Sequence, residues 1–295
     1  MTTATTLPKR TLGKTGISVS QLGFGGAVVG IPSYLVPGDR ESAAFAEQAE
    51  SAIRRALELG VTLFDTAPGY GNGRSESFYG AVLSGVRDDI VLSTKLHMRP
   101  GEGPREWEAS LAASLARLRT DHVDLLQVHG STWSREGSAR LLDAPAKWLE
   151  GVRAGGRARA IGVTAETPSG GLETLVESGV FDTLQVAYNA IYQGACDYQR
   201  EPFGVIPLAK SLGLGVLTMR TATSGVLARL VHAEFPELPA DRINRLAVKF
   251  VLSTPEVDCA LVGMADPVEV AANCALAADP DDRLDLKELH NRFLA

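Results

Sequence analysis

Residues 89–129 read DIVLSTKLHMRPGEGPREWEASLAASLARLRTDHVDLLQVH. DIVLSTK (89–95) and HVDLLQVH (122–129) are short, β-rich apolar runs that close on a polar residue, the pattern of strands buried on both faces. Between them, residues 106–118 carry apolar side chains at helical spacing. Strand, helix and strand joined by short connections predict a βαβ unit with parallel pairing.

The same grammar extends in both directions. Further strand-like runs are LGFGG (22–26), VTLFD (61–65), ARAIGV (158–163), FDTLQVAYN (181–189), LGVLTMR (214–220) and VDCALVG (257–263), which brings the total to eight. Helical periodicity appears at 42–58, 144–154, 171–177, 242–251 and 268–277. From the second run onward the strands start about 33 residues apart, which suits one βα unit each. Eight such units in 295 residues predict an α/β protein with a closed (β/α)8 TIM barrel in preference to an open doubly wound sheet. KRTLGKTGISVS (9–20) sets a Gly-Lys-Thr-Gly turn between two short alternating runs, which predicts an N-terminal β-hairpin plugging the barrel bottom. DDRLDLKELHNRFLA (281–295) predicts a short amphipathic C-terminal helix. No Pro/Ser-rich linker or low-complexity block interrupts the chain, so residues 1–295 are expected to form a single domain.

Composition narrows the function. The chain is 45% hydrophobic and 22% charged, with 29 Lys and Arg against 35 Asp and Glu and a formal net charge of -6. At this length about three quarters of the unfolded surface can be buried, so a core needs no staples. No basic stripe supplies the counterion-releasing surface that nucleic acids require. Cys196, Cys259 and Cys274 lack metal-ligand spacing, so no metal is expected, and an odd, scattered set of cysteines fits a reducing compartment. MTTATTLPKR (1–10) has no apolar core, and no later run approaches the length of a membrane span. The expected location is the cytoplasm, with no membrane and no nucleic acid as partner.

Active sites of such barrels lie at the C-terminal strand ends, where three runs close on Asp65, Lys95 and His129. Tyr70 follows in the loop TAPGYGNG (66–73). A lysine held by a carboxylate stays charged, and an ammonium beside a phenol stabilises the phenolate. Such a tyrosine passes a proton to or from a carbonyl oxygen near neutral pH, while His129 orients that oxygen. No Ser or Cys stands in a relay with the histidine. Proton transfer at oxygen coupled to hydride transfer at carbon is the natural chemistry, and a hydride needs a cofactor. Taken singly, Asp65 reads as a helix cap, His129 as a rim residue and Lys95 as a Schiff-base lysine; taken together, the four read as catalytic.

At these residues the chain closely resembles the aldo-keto reductase superfamily, through LGFGG, FDTAPGYG (64–71), STK (93–95), DLLQVHG (124–130) and IGV (161–163). The resemblance implies Tyr70 as general acid/base, Lys95 and Asp65 as the pair that tunes it, and His129 as the substrate-orienting group. It also implies a nicotinamide cofactor lying across the barrel mouth, with hydride transferred from its A face. Cofactor contacts are implied at Gly26, Asp65, Thr164, Gln185, Met219, Arg220, Thr221, Gly225, Leu227, Gly263 and Asn273. The family pattern is departed from in three stretches. Thr164-Ala165 keeps a hydroxyl but lacks the usual amide, Met219 stands where an aromatic ring usually stacks, and Gly263, Ala265 and Glu269 occupy positions that are usually basic. The family's ordinary cofactor is NADP(H), but no cation is evident for its 2'-phosphate unless Arg220 or Arg283 reaches it, which makes NAD(H) a candidate.

Tyr34, in the long first loop VVGIPSYLVPG (28–38), and Trp133, after His129, are expected to line the substrate pocket with Tyr70 and His129. His97 fits a pocket wall or an ordinary surface loop. The implied activity interconverts a carbonyl compound, whether aldehyde, ketone or aldose, and the corresponding alcohol or lactone, as in the family's aldose dehydrogenases. The alternative is a nucleotide-binding regulatory or scaffold subunit with little turnover, which the departures at Ala165, Met219 and Glu269 would suit and the intact set of four would not.

Overall fold

A computed structural model describes residues 7–32, 41–198 and 202–294. The first chain segment forms the antiparallel hairpin β1 (Lys9–Thr11) and β2 (Ser18–Ser20). Eight parallel strands follow: β3 (Leu22–Gly25), β4 (Leu63–Asp65), β5 (Val91–Leu96), β6 (Val123–Val128), β7 (Ala158–Ala165), β8 (Thr183–Ala187), β9 (Gly215–Met219) and β10 (Cys259–Val262). They close into a barrel in chain order, with β10 paired to β3. Each expected strand is present, trimmed or extended by a few residues at its ends.

The hairpin is the expected plug. Leu12, Ile17 and Val19 pack against an inward apolar layer of Leu63, Val91, Leu125, Ala160, Leu217, Cys259 and Leu261. The lower barrel is thereby filled with side chains rather than left as a pore. One residue pair further along the strands, the inward positions become polar: Asp65 pairs with Ser93, and Lys95 with Gln127. Gly162 on β7 makes this layer possible, because a Cβ there would lie 2.4 Å from Thr183 Oγ1 and 2.9 Å from Gln127 Cγ.

Three aspartates inside the apolar runs belong to the fold. Asp124 accepts the Leu92 N–H at 2.8 Å, Asp182 the Ile161 N–H at 2.8 Å and Asp258 the Val216 N–H at 2.9 Å. Each also meets at least one cation, Asp124 through Arg87 and the β7 residue Arg159, Asp182 through Arg153 and Asp258 through Lys210. A carboxylate that is both paired and hydrogen-bonded is tolerated where a barrel strand begins.

The expected helices appear as Ala43–Glu58, Pro104–Leu118, Ala144–Ala154, Gly170–Glu177, Ala240–Leu252, Pro267–Ala278 and Leu286–Leu294. Helices at Arg74–Leu83, Arg135–Leu141, Val205–Ser211 and Val226–Glu234 were not expected from periodicity. The first of these shows why. Its buried face contains Ser75, Glu76 and Gly80 beside Tyr79 and Leu83, so the apolar stripe is broken by groups that pair inside. No helix among the described residues is long and apolar enough to cross a membrane.

Candidate active site

Lys95 sits inside the barrel mouth with 1% of its surface exposed. Its Nζ lies 2.6 Å from Asp65 Oδ2 and donates to the Thr66 carbonyl at 2.9 Å. The other Asp65 oxygen accepts from Ser93 Oγ at 2.9 Å and from Gln127 Nε2 at 3.3 Å. Gln127 Nε2 also approaches Gln185 Oε1 at 2.6 Å, and Gln185 Nε2 approaches Met219 Sδ at 3.7 Å. A polar floor thus runs from β4 to β9 beneath the mouth. Burial is the largest influence on Lys95 and by itself lowers its pKa; the Asp65 charge and Tyr70 outweigh it and raise the value. The ammonium is therefore kept, with Nζ 5.1 Å from the centre of the Tyr70 ring.

Tyr70 is carried by a loop fastened at both ends. Thr66 Oγ1 donates to Ser75 Oγ at 2.7 Å, and Ser75 Oγ donates to the Gly26 carbonyl at 2.8 Å. Gly71, Asn72 and Gly73 all take left-handed backbone conformations, turning the chain sharply into the helix at Arg74. Glu76 in that helix accepts from Thr94 Oγ1 at 2.6 Å and from Arg117 Nε at 2.7 Å, which ties the loop's far end to the strand that carries Lys95.

His129 follows β6, its N–H bonded to the Leu96 carbonyl at 2.8 Å. Its ring stands edge-on to Tyr70, with centroids 6.2 Å apart and planes at 89°. Burial, then the Lys95 charge, then His97 push its pKa down to about 3, so the imidazole is neutral throughout the physiological range. The sign of the pH effect follows. Below about 6.5 the unfolded histidine takes up a proton that the folded one refuses, so this group's contribution to stability is whole above about 6.5 and declines toward the folded value. Within that window the slope approaches about 1.4 kcal/mol per pH unit. His129→Asn is expected to flatten the loss of stability between neutral pH and the acid range; urea midpoints measured across pH would show equal slopes if the assignment were wrong.

Several positions expected from the sequence to contact a cofactor follow β9 and β10. Arg220, Thr223, Ser224 and Gly225 all have positive φ, a concentration of strained backbone directly after β9. This turn opens the helix Val226–Glu234, whose N-terminus has no side-chain cap hydrogen bond, although the Leu227 N–H reaches Thr223 Oγ1 at 3.1 Å. A helix start with one side-chain hydrogen bond, beside turned backbone, has further N–H groups that suit a diphosphate. Thr221 is buried at the start of this turn. Arg220 pairs with Glu166 at 2.7 Å. Gly263 is packed so that a Cβ would lie 2.6 Å from Val28 Cγ1. Beyond it, Asp266 caps the helix Pro267–Ala278, Glu269 accepts the Ala265 N–H at 3.1 Å, and Asn273 is half-buried on the same helix. Arg283 donates to the carbonyls of Leu276, Ala277 and Asp279 at the opposite end of that helix.

Asp65, Tyr70, Lys95 and His129 are therefore brought together as expected from the sequence. Trp133 is half-buried and packs against Gly130, the residue after His129, with its indole N–H bonded to the Thr164 carbonyl at 2.8 Å. The Thr164 hydroxyl is engaged by the Gly130 backbone, at 3.1 Å to both N and O, instead of projecting freely. Gly26 donates its N–H to the Asp65 carbonyl at 2.7 Å, and a Cβ there would lie 2.6 Å from Ser75 Oγ, so its lack of a side chain already serves the packing of the Tyr70 loop. Tyr34 lies outside the described residues. The sequence reading missed Ser93, Gln127 and the contact of His97 with His129, whose rings stack with centroids 4.6 Å apart. A signal existed: in a buried strand, polar residues at every second position, such as Ser93 and Lys95 or Gln127 and His129, point to one face.

A closed parallel barrel with a buried lysine–carboxylate pair, a tyrosine and a histidine gathered at its mouth has the architecture of a barrel enzyme. The Aldo/keto reductase family model matches residues 21–289. The chain belongs to that family and is an NAD(P)-dependent oxidoreductase. It is similar to L-galactose dehydrogenase of Arabidopsis thaliana, 28% identical over 302 residues that cover 93% of this chain and 89% of that protein. It is also similar to D-threo-aldose 1-dehydrogenase of a Pseudomonas species, 28% identical over 315 residues, covering 89% and 91% respectively. A solved structure of an aldo-keto reductase from Pseudomonas aeruginosa superposes with a TM-score of 0.67 at 27% identity, covering 92% of this chain and 94% of that one.

Proposed function

We propose that the whole chain, residues 1–295, works in the cytoplasm as an aldose-type dehydrogenase, oxidising the anomeric hydroxyl of a sugar to a lactone with NAD as the preferred cofactor. The observation that carries the chemistry is the buried Lys95 ammonium, held by Asp65 against the Tyr70 ring with a neutral His129 across that ring. Two relatives named as aldose or galactose dehydrogenases support the substrate class. When bound, the nicotinamide supplies the hydride acceptor, or the donor in the reverse direction. Tyr70 takes the hydroxyl proton as the carbonyl forms, and the adjacent ammonium stabilises the phenolate through that transfer. His129, uncharged, donates a ring N–H to the same oxygen and fixes its direction. In the reverse reaction Tyr70 returns the proton to the alkoxide oxygen. Trp133 forms one wall of the substrate pocket.

Cofactor choice rests on Asp266 and Glu269 at the start of the last barrel helix and on Arg283 being held at its far end. A 2'-phosphate placed near that helix start meets negative charge. Glu269→Lys is expected to tighten NADPH binding about 10-fold, equivalent to about 1.4 kcal/mol, with NADH binding nearly unchanged. Quenching of tryptophan fluorescence measures both affinities, and a wild-type preference for NADPH would reverse the assignment. The function itself is tested by following nicotinamide absorbance with a panel of aldoses and aldehydes and each cofactor. Tight cofactor binding with no turnover of any of them would replace the enzyme by a nucleotide-binding regulatory subunit.

A further inference from the structure

The imidazole of a working histidine is usually aligned by a hydrogen bond from its second nitrogen to a carboxylate or carbonyl. His129 lacks that device: its Nδ1 is buried and has no hydrogen-bond partner among the described residues. Two rings hold it instead. Tyr70 meets it edge-on, and His97 lies nearly flat on it, with centroids 4.6 Å apart and planes at 20°.

His97 is well placed for this task. It directly follows β5, two residues beyond Lys95, while His129 directly follows the neighbouring β6. The ring reaches across to the Tyr70 loop, where a Cβ at Gly69 would lie 3.8 Å from His97 Nε2. One side chain thus spans the ends of three successive strands. Burial, followed by the Arg99 charge, lowers the His97 pKa, with Glu102 and the His129 backbone opposing, which favours a stack of two uncharged rings.

We propose that His97 is a positioning residue for the reaction: by stacking on His129 it sets the tilt of that ring, and so the direction in which the ring N–H meets the substrate oxygen. The proposal rests on the reading of His129 as the group that hydrogen-bonds the reacting oxygen. It assigns the effect to the flat face of His97 and not to its nitrogens, which separates it from a substrate-binding role.

Two variants and two readouts test it. His97→Ala removes the stack, and His97→Phe restores a flat ring without nitrogens. The alanine variant is expected to lose kcat by about 10- to 100-fold, the scale of a small misalignment of a reacting group, with unchanged cofactor affinity. The phenylalanine variant is expected to recover most of that loss. Nitrogen NMR of the His129 ring, without substrate, is expected to show one neutral tautomer in wild type and His97→Phe, and shifts averaged between tautomers in His97→Ala. A phenylalanine variant as impaired as the alanine one, or an alanine variant with wild-type kcat and unaltered His129 signals, would overturn the proposal. If wild type turns over no carbonyl or alcohol, the functional reading falls, and the ring signals decide the positioning role by themselves.

Discussion

Tyr70→Phe is expected to lower kcat by about 10²- to 10⁴-fold, the usual contribution of a positioned proton donor, while cofactor affinity and Tm stay at wild-type values. The substitution removes one oxygen and leaves the ring 5.1 Å from Lys95 Nζ and edge-on to His129, so the aromatic packing of the mouth is retained. The lost oxygen is the only phenol placed against the buried ammonium among the described residues. Steady-state kinetics and fluorescence titration on the same preparation separate the two effects. A variant that keeps kcat within about 3-fold of wild type would transfer the proton-handling role to another group.

Asp65→Asn is expected to be the most damaging single change, because it acts on stability and chemistry together. Lys95 is buried and its nearest anion is Asp65 at 2.6 Å, while the Thr66 carbonyl at 2.9 Å carries no charge. Removing one member of such a pair costs about 3–5 kcal/mol, because a charge is left buried without compensation. In wild type the Asp65 charge and Tyr70 overcome the effect of burial on Lys95; without the carboxylate the balance shifts toward burial and the Lys95 pKa falls. A lysine without its carboxylate partner holds its charge less firmly and is no longer fixed beside Tyr70, so it supports the phenolate less and activity falls even in the molecules that stay folded. Chemical denaturation is expected to show a lower midpoint at an unchanged m-value. Asp65→Asn/Lys95→Met, which removes both charges, is expected to regain most of the stability and none of the activity. A single variant within about 1 kcal/mol of wild type and still active would show that the pair is dispensable.

Most of the barrel was legible in the sequence for a definite reason. Parallel strands buried on both faces read as unbroken apolar runs, and three of the four mouth residues announced themselves by ending one, Asp65, Lys95 and His129. What stayed hidden depended on side-chain pairing in three dimensions. Glu76 and Ser75 look like solvent residues in a string of letters, yet they face the interior because Thr94, Arg117 and Thr66 meet them there. Alternation puts Gln127 on the same strand face as His129, but its joining of Asp65 to Gln185 depends on side chains from neighbouring strands. Thr164 shows the opposite failure: its hydroxyl is visible in the sequence, but not its engagement by Gly130. His97 gave two equal readings, because stacking on His129 depends on the relative tilt of two strand ends, which spacing does not encode.

The most direct measurement follows a labelled hydrogen. An aldose carrying deuterium at the anomeric carbon, turned over with NAD, is expected to place that deuterium on the A face of the nicotinamide and to yield the lactone, with transfer in Tyr70→Phe slowed in step with its kcat. Turnover that leaves the deuterium on the sugar or releases it to water, or a borohydride-trapped adduct on Lys95, would contradict hydride transfer and point instead to Schiff-base chemistry at that lysine.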